Sequence, residues 1–454
     1  MQSNSTESSR IAVELPQIQK LGSFEREAIT ASARQLVCHF AAGDLQRPMP
    51  HVEADWEDVF QTICRNGVVG LTYTYLKHHP DDYPPATFRK WIAWAHLLAT
   101  GHMARTRTHV RTVLSRLAEA GLDFLVLKGP ALAEQVYQDP ALRWYGDLDI
   151  HVRDQDLAAA HQLLLSLGLR LQEAVTESPP KLVAQAPGAE WHYASEDGWF
   201  LVELHGDDLL HTGLVPRDYD GLWERAAHIN VQGIPVQVLS LEDQLIALSA
   251  HVHYHGYTRL NWLSDIAFIV RDHAEELDWD RLVQTIQVEE VQVPVYYTLY
   301  FLDRMLGVSI PESTLARIRP DWFRRWLHER YVPEQKVVSL LPMPRPDFSF
   351  YFLPLFKRLL PDLLVMGRRP EKLHYLLRLL VPSPAWLRHY YGVEDGEGVA
   401  RHYVLHPLKL GGHYLASVAT SIAWLCHPKH ADETGGLLSW WSVHPHVART
   451  RSCH

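Results

Sequence analysis

The segment GLDFLVLKGPALAEQVYQDPALRWYGDLDIHV at 121–152 constrains this chain more than any other stretch. Its first apolar run, DFLVLK at 123–128, is short and closed by Gly129, which predicts a strand. Pro130 suits the first turn of a helix, ALAEQVYQD, that ends before Pro140. A second strand is expected at 148–152, LDIHV. Residues two apart on a strand share a face, so Asp147 and Asp149 present neighbouring carboxylates.

Like charges that close repel, and a fold tolerates them mainly where a cation sits between. Mg²⁺, with Mn²⁺ as the alternative, meets that need when carboxylates share it with substrate phosphates. Gly146 lets a ligand approach the backbone, and Lys128 and Gly129 stand where a strand turns into a helix and offers N–H groups to an anion. Lys128 adds a point charge for a triphosphate. By itself an Asp-x-Asp is usually a solvated turn. The order of strand, Lys-Gly, helix and Gly-Asp-x-Asp strand is what gives it weight.

The flanking pattern sets the architecture. Apolar residues recur at helical spacing over about 25–112, as in KWIAWAHLLATGHMARTRTHVRTVLSRLAEAG, after a loose polar leader at 1–24. Beyond the second strand a helix is expected over DQDLAAAHQLLLSLGLR with Asp154 as its N-cap, then a polar loop at 172–190. GWFLVELHG at 198–206 predicts a third strand, with Glu203 as a further carboxylate and His205 on its face. INVQGIPVQVLS at 229–240 predicts a hairpin about Gly233 and Pro235. From Leu241 the pattern is helical again almost to the end. The expectation is an α+β fold: a small mixed-sheet core at 113–242, embedded in large N- and C-terminal helical regions, with 243–330 packing on the core and 331–454 holding further helices and a tail.

Composition narrows the class. A net charge of −10 argues against a nucleic-acid partner, because neutralising phosphates needs a basic face. Cys38, Cys64, Cys426 and Cys453 show no Cys-x-x-Cys spacing, so neither a disulfide framework nor a zinc ribbon is expected. The N-terminus has no apolar signal region and no charge-free apolar run reaches membrane-spanning length, the nearest being 414–426. A cytoplasmic protein without a membrane span is the expectation.

The segments LKGPALAEQVY, RWYGDLDIHV, VELH and LSLEDQLIALSAHVHYHGYTRLNWLSDIAFIV together resemble the bacterial uncharacterised nucleotidyltransferase family, within the DNA polymerase beta-like nucleotidyltransferase superfamily. DWEDVFQTICRNGVVGLTYTYL upstream and PSPAWLRHYYG downstream extend the likeness to about 25–425. The resemblance implies Asp147, Asp149 and Glu203 as metal-binding carboxylates and Lys128 and Gly129 as the nucleotide-phosphate turn. It implies transfer of a nucleoside monophosphate, from ATP by default, to an unidentified acceptor hydroxyl or amine. Such genes lie beside those for cell-surface polysaccharides and peptide natural products. A nucleotide-binding module without turnover is the rival reading. Three departures stand out: Lys-Gly-Pro replaces Gly-Ser, sixteen residues (131–146) separate Pro130 from Asp147, and Glu203 stands where Asp is more frequent.

Other residues allow two readings each. Arg143 can contact a phosphate or buttress its loop by pairing with Asp139 or Asp147. In SAHVHYHGY only His251 and His255 have helical spacing for one face, and without a His-Glu-x-x-His pattern packing is the better account. Arg259 and Asp265, flanking Trp262, read as an interdomain pair or as acceptor contacts, and the polar density of 242–265 places the acceptor pocket there. The stretch 351–380 reads as packed helices or a membrane-surface element, and the His-rich tail 427–454 as a docking or disordered segment.

Overall fold

The computed structural model describes residues 29–172 except 81, 82 and 138, then 190–206, 218–340 except 333 and 339, positions 381, 384 and 387, and 398–408. The leader, the stretch 351–380 and the tail 427–454 lie outside the described residues.

Four helices open the fold: α1 (Ala31–Ala42), α2 (Trp56–Arg65), α3 (Val69–His78) and α4 (Ala86–Glu119). The starts of α1 and α2 are fixed by side-chain caps, Thr30 accepting from the Ala33 N–H and Asp55 from those of Glu57 and Asp58. A seven-stranded mixed sheet follows, in the order β3-β4-β5-β2-β1-β7-β6. Its strands are β1 (Phe124–Leu127), β2 (Asp147–Val152), β3 (Arg170–Leu171), β4 (Glu190–Ala194), β5 (Leu201–His205), β6 (Ala227–Val231) and β7 (Ile234–Val238). Between them lie α5 (Lys128–Gln135), α6 (Leu157–Ser166) and α7 (Tyr219–Glu224). The chain then runs through α8 (Leu241–Tyr254), α9 (Leu260–Asp272), α10 (Trp279–Glu289), α11 (Gln292–Phe301), a π turn at Leu302–Leu306, and α12 to α14 (Glu312–Ile318, Trp322–Tyr331, Glu334–Val338). The fold is the expected α+β arrangement, a mixed sheet flanked by helical regions.

Two cores hold it. One buries Leu148, Ile150, Val152, Val202 and Leu204 from one sheet face against Val110, Val113, Leu114 and Leu117 of α4. The other is helical and joins residues from before and after the sheet, such as Leu36 and Phe60 with Leu263, Ile266 and Leu299. The N-terminal helices and those after Leu241 therefore share one interior. Ser264 Oγ donates to the Ala41 carbonyl at 2.7 Å and Arg47 Nη1 to that of Leu306 at 3.0 Å across it. At 34 residues, α4 serves both cores: Phe88 and Ile92 lie in the helical one, Val110 to Leu117 in the other. At ~1.5 Å per residue it is a beam about 50 Å long.

Local details correct the sequence reading. The helix after β2 begins at Leu157 following Asp156, and Asp154 instead lies against Gly206, where a Cβ would meet its Oδ1 at 2.5 Å. Strand β4 was not foreseen. Its two-residue period, Trp191 and Tyr193 buried and His192 between them half-buried, is a strand signal in WHY. The hairpin turns at Gln232–Gly233, both at positive φ (54° and 82°). Pro235 lies in β7 opposite Asn230, beyond the β1 pairing at Gln237 and Val238, so its missing N–H costs that ladder nothing.

Candidate active site

Strand alternation sorts β2 cleanly. Leu148, Ile150 and Val152 enter the core, which puts Asp147, Asp149 and His151 on the opposite face. β5 runs parallel beside it, with Asp149 opposite Glu203 and His151 opposite His205. β4 adds His192 opposite Glu203, and antiparallel β1 sets Leu127 opposite Asp149. One row across four strands thus reads Leu127, Asp149, Glu203, His192, and the chain leaves β1 into Lys128 at the edge of that row.

The side chains converge. Lys128 Nζ lies 2.6 Å from Asp149 Oδ1 and 3.8 Å from Glu203 Oε2. His205 Nε2 lies 3.3 Å from Asp149 Oδ1 and 3.8 Å from Glu203 Oε2. Asp149, Glu203 and His205 each offer a donor atom within 4.8 Å of the others, a spacing suited to one cation. Two carboxylates and an imidazole therefore fit a divalent ion chemically. Asp147 shares the face but is not one of these three.

The electrostatics follow the geometry. Burial opposes ionisation of Asp149, yet the Lys128 ammonium and the His205 imidazole outweigh it and hold the carboxyl well below the usual carboxylate range. Glu203 moves the other way, pushed up by burial and by the Asp149 charge. Asp147 is likewise raised, by burial and then by Asp149. A single lysine thus does not neutralise three acids, and the face favours further positive charge. Alongside, burial and the neighbouring His205 push His151 down to about 3, and it shares a 2.9 Å hydrogen bond with the Tyr219 hydroxyl.

The turn residues divide in role. Lys128 adopts φ +45°, the left-handed region that favours glycine. Such a conformation costs ~1 kcal/mol or more and persists where surroundings enforce it. Gly129 is required by packing, since a Cβ there would meet Tyr145 Cβ at 2.6 Å. Among the described residues a Cβ at Gly146 would meet only His102 Nε2, at 4.0 Å.

Arg143 lies elsewhere. Its Nε and Nη2 donate to Asp265 Oδ1 and Oδ2 at 2.6 and 2.9 Å, and Nη1 donates to the Trp144 carbonyl. The Tyr137 hydroxyl completes the arrangement at 2.7 Å from Asp265 Oδ1. The expected partners Asp139 and Asp147 are not the ones this fork engages, and Asp265, fully buried, ties α9 to the loop before β2 instead of facing an acceptor. Arg259 lies over the Trp262 ring, and His251 and His255 pack edge to face at 4.5 Å with both rings on Trp262. Helix α8 nevertheless borders the site. Gln244, Ala247 and Leu248 line a pocket together with Leu127, Lys128, His205 and Leu239.

No described helix is long and apolar enough to cross a membrane. The sequence model of a family described as uncharacterised nucleotidyltransferase matches residues 52–307, which spans the sheet and the helices on both sides. No curated protein matches the chain. Among solved structures, an antigenic nucleotidyltransferase-like protein from Paracoccidioides brasiliensis is similar at 18% identity and a TM-score of 0.30, over 46% of this chain and 95% of that one. By the family match over more than half its length, the chain belongs to the uncharacterised nucleotidyltransferase family.

Proposed function

We propose that this member of the uncharacterised nucleotidyltransferase family transfers a nucleoside monophosphate from an NTP, ATP by default, to an acceptor hydroxyl or amine and releases pyrophosphate. The observation that carries the reading is the convergence of Asp149, Glu203 and Lys128 on one sheet face, where a strand turns into a helix. Asp149 and Glu203 would hold the divalent ion, Mg²⁺ or Mn²⁺, with Asp147 beside them on the Gly146 side. Such an ion, when bound, supplies charge neutralisation of the triphosphate and of the leaving pyrophosphate.

The protein's own part is positioning. Lys128 can turn its ammonium from Asp149 toward a phosphate oxygen, because its four-carbon stem is flexible. The N–H groups at the start of α5 add partial positive charge at the same place. In this reading nucleotide or acceptor approaches from the Gly146 side. The acceptor belongs to natural-product or cell-surface biosynthesis in this reading.

Incubation of the purified protein with α-labelled ATP, a divalent ion and panels of hydroxyl and amine acceptors tests it. Pyrophosphate release together with a labelled acceptor is expected. One observation favours a second reading: the Lys128 ion pair already neutralises Asp149 internally. Tight nucleotide binding with no turnover on any acceptor would select a binding module instead.

A further inference from the structure

His205 contributes more than the three-carboxylate pattern requires. It follows Glu203 by two residues on β5, so strand alternation brings its ring to the same face, and its side chain is only 3% exposed. Its Nε2 stands 3.3 Å from Asp149 Oδ1 and 3.8 Å from Glu203 Oε2. An ion ~2.1–2.2 Å from each donor sets its ligands about 3.0 Å apart when adjacent and about 4.3 Å apart when opposite. Both separations fall inside that window. The imidazole nitrogen is thus placed as a donor to the same point as the two carboxylates.

We infer that His205 is the third protein ligand of the metal site and that the site selects a first-row transition dication, Mn²⁺ ahead of Mg²⁺. The inference rests on the metal-dependent reading above and adds its selectivity. Mg²⁺ is a hard ion that prefers six oxygens and keeps several waters, so an imidazole is a poor substitute for one of them. Mn²⁺ accepts carboxylates and nitrogen together, and an imidazole raises the affinity of the later first-row ions further. Lys128 reinforces the selection. Its ammonium occupies the same cluster of oxygens, so an incoming ion competes with a resident charge, and an ion that gains a nitrogen ligand competes better.

The experiment is pulsed EPR on the full-length protein loaded with Mn²⁺, with Mg²⁺ competition, on wild type and on His205→Phe, which keeps ring volume and removes the donor. Wild type should show ¹⁴N coupling from a directly bound imidazole, and Mg²⁺ should displace Mn²⁺ only in large excess. His205→Phe should lose the coupling and lower Mn²⁺ affinity by about tenfold or more while Mg²⁺ affinity changes less. If His205→Phe fails to fold, the wild-type ¹⁴N signal and its loss in His205→Asn decide the matter. Bound Mn²⁺ without ¹⁴N coupling overturns the inference, as does coupling that survives in the variants. Pyrophosphate release with Mg²⁺ alongside either result leaves the transfer reading standing without His205. ¹⁴N coupling without turnover keeps the metal site and removes the transfer.

Discussion

Lys128 Nζ stands 2.6 Å from Asp149 Oδ1, and the residue that places it there carries a backbone φ of +45°. A strained lysine turn held against a buried carboxylate joins the strand β1, the start of α5 and the acidic face of the sheet in one contact. If that lysine serves both as resident counterion and as phosphate contact, Lys128→Met should have two separable effects. Without divalent ion the variant loses stability, on the order of 3 kcal/mol, because the buried Asp149 carboxylate loses its lysine counterion. Added Mn²⁺ or Mg²⁺ restores much of that, while nucleotide affinity stays about tenfold or more below wild type. Thermal unfolding with and without chelator, beside nucleotide titration, reads both. Destabilisation with unchanged affinity in the folded fraction would make Lys128 purely structural.

Arg143 and Asp265 form a buried, two-pronged pair across 122 residues of chain. Removing one partner leaves the other charge uncompensated, so Arg143→Met should cost about 3–5 kcal/mol in urea unfolding. The double variant Arg143→Met/Asp265→Leu should recover part of that loss. A small stability effect with a large loss of nucleotide affinity would restore the phosphate role to Arg143.

Acid should loosen the helical core. His253 is pushed down to about 4 by burial, and His328, stacked on it at 5.1 Å and on Tyr297 at 3.5 Å, lies well below its usual value through burial and then His253. Both are neutral when folded but take a proton near pH ~6.5 when unfolded. The unfolded state therefore binds more protons below that point, and stability present above it declines as pH falls toward 4. His253 alone accounts for roughly 2–3 kcal/mol of that decline. Melting temperature from pH 7 to 4.5 should fall more steeply in wild type than in His328→Phe. Equal slopes would place the acid sensitivity elsewhere.

The sequence showed what obeys local period. The two-residue alternation in DLDIHV and LVELH was enough to pair Asp147 with Asp149 on one face of β2 and Glu203 with His205 on one face of β5, and the order of elements around Lys128 was visible as well. What it hid depends on long-range pairing. The fork of Arg143 goes to a residue on α9 that no local pattern points to, and the caps at Thr30 and Asp55 say nothing of α1 and α2 sharing a core with α9 and α11. Asp154 looked like a cap because Asp often is one; in the fold its carboxylate lies against Gly206. The convergence of Asp149, Glu203 and His205 needed the parallel register of β2 and β5, which alternation alone does not fix.

Asp149 bears the central claim, since it approaches Lys128 and His205 more closely than Glu203 does, at 2.6 and 3.3 Å, and is 1% exposed. Divalent-dependent nucleotide binding, measured by titration calorimetry on wild type, Asp147→Asn and Asp149→Asn, tests it most directly. The account predicts that Asp149→Asn keeps its helical circular dichroism and loses the metal-dependent part of binding, by about a hundredfold or more. Asp147→Asn, which changes a neighbouring acid on the same face that is not one of the three donors, should lose less of it. Metal-dependent binding at the wild-type level in a folded Asp149→Asn would contradict the account.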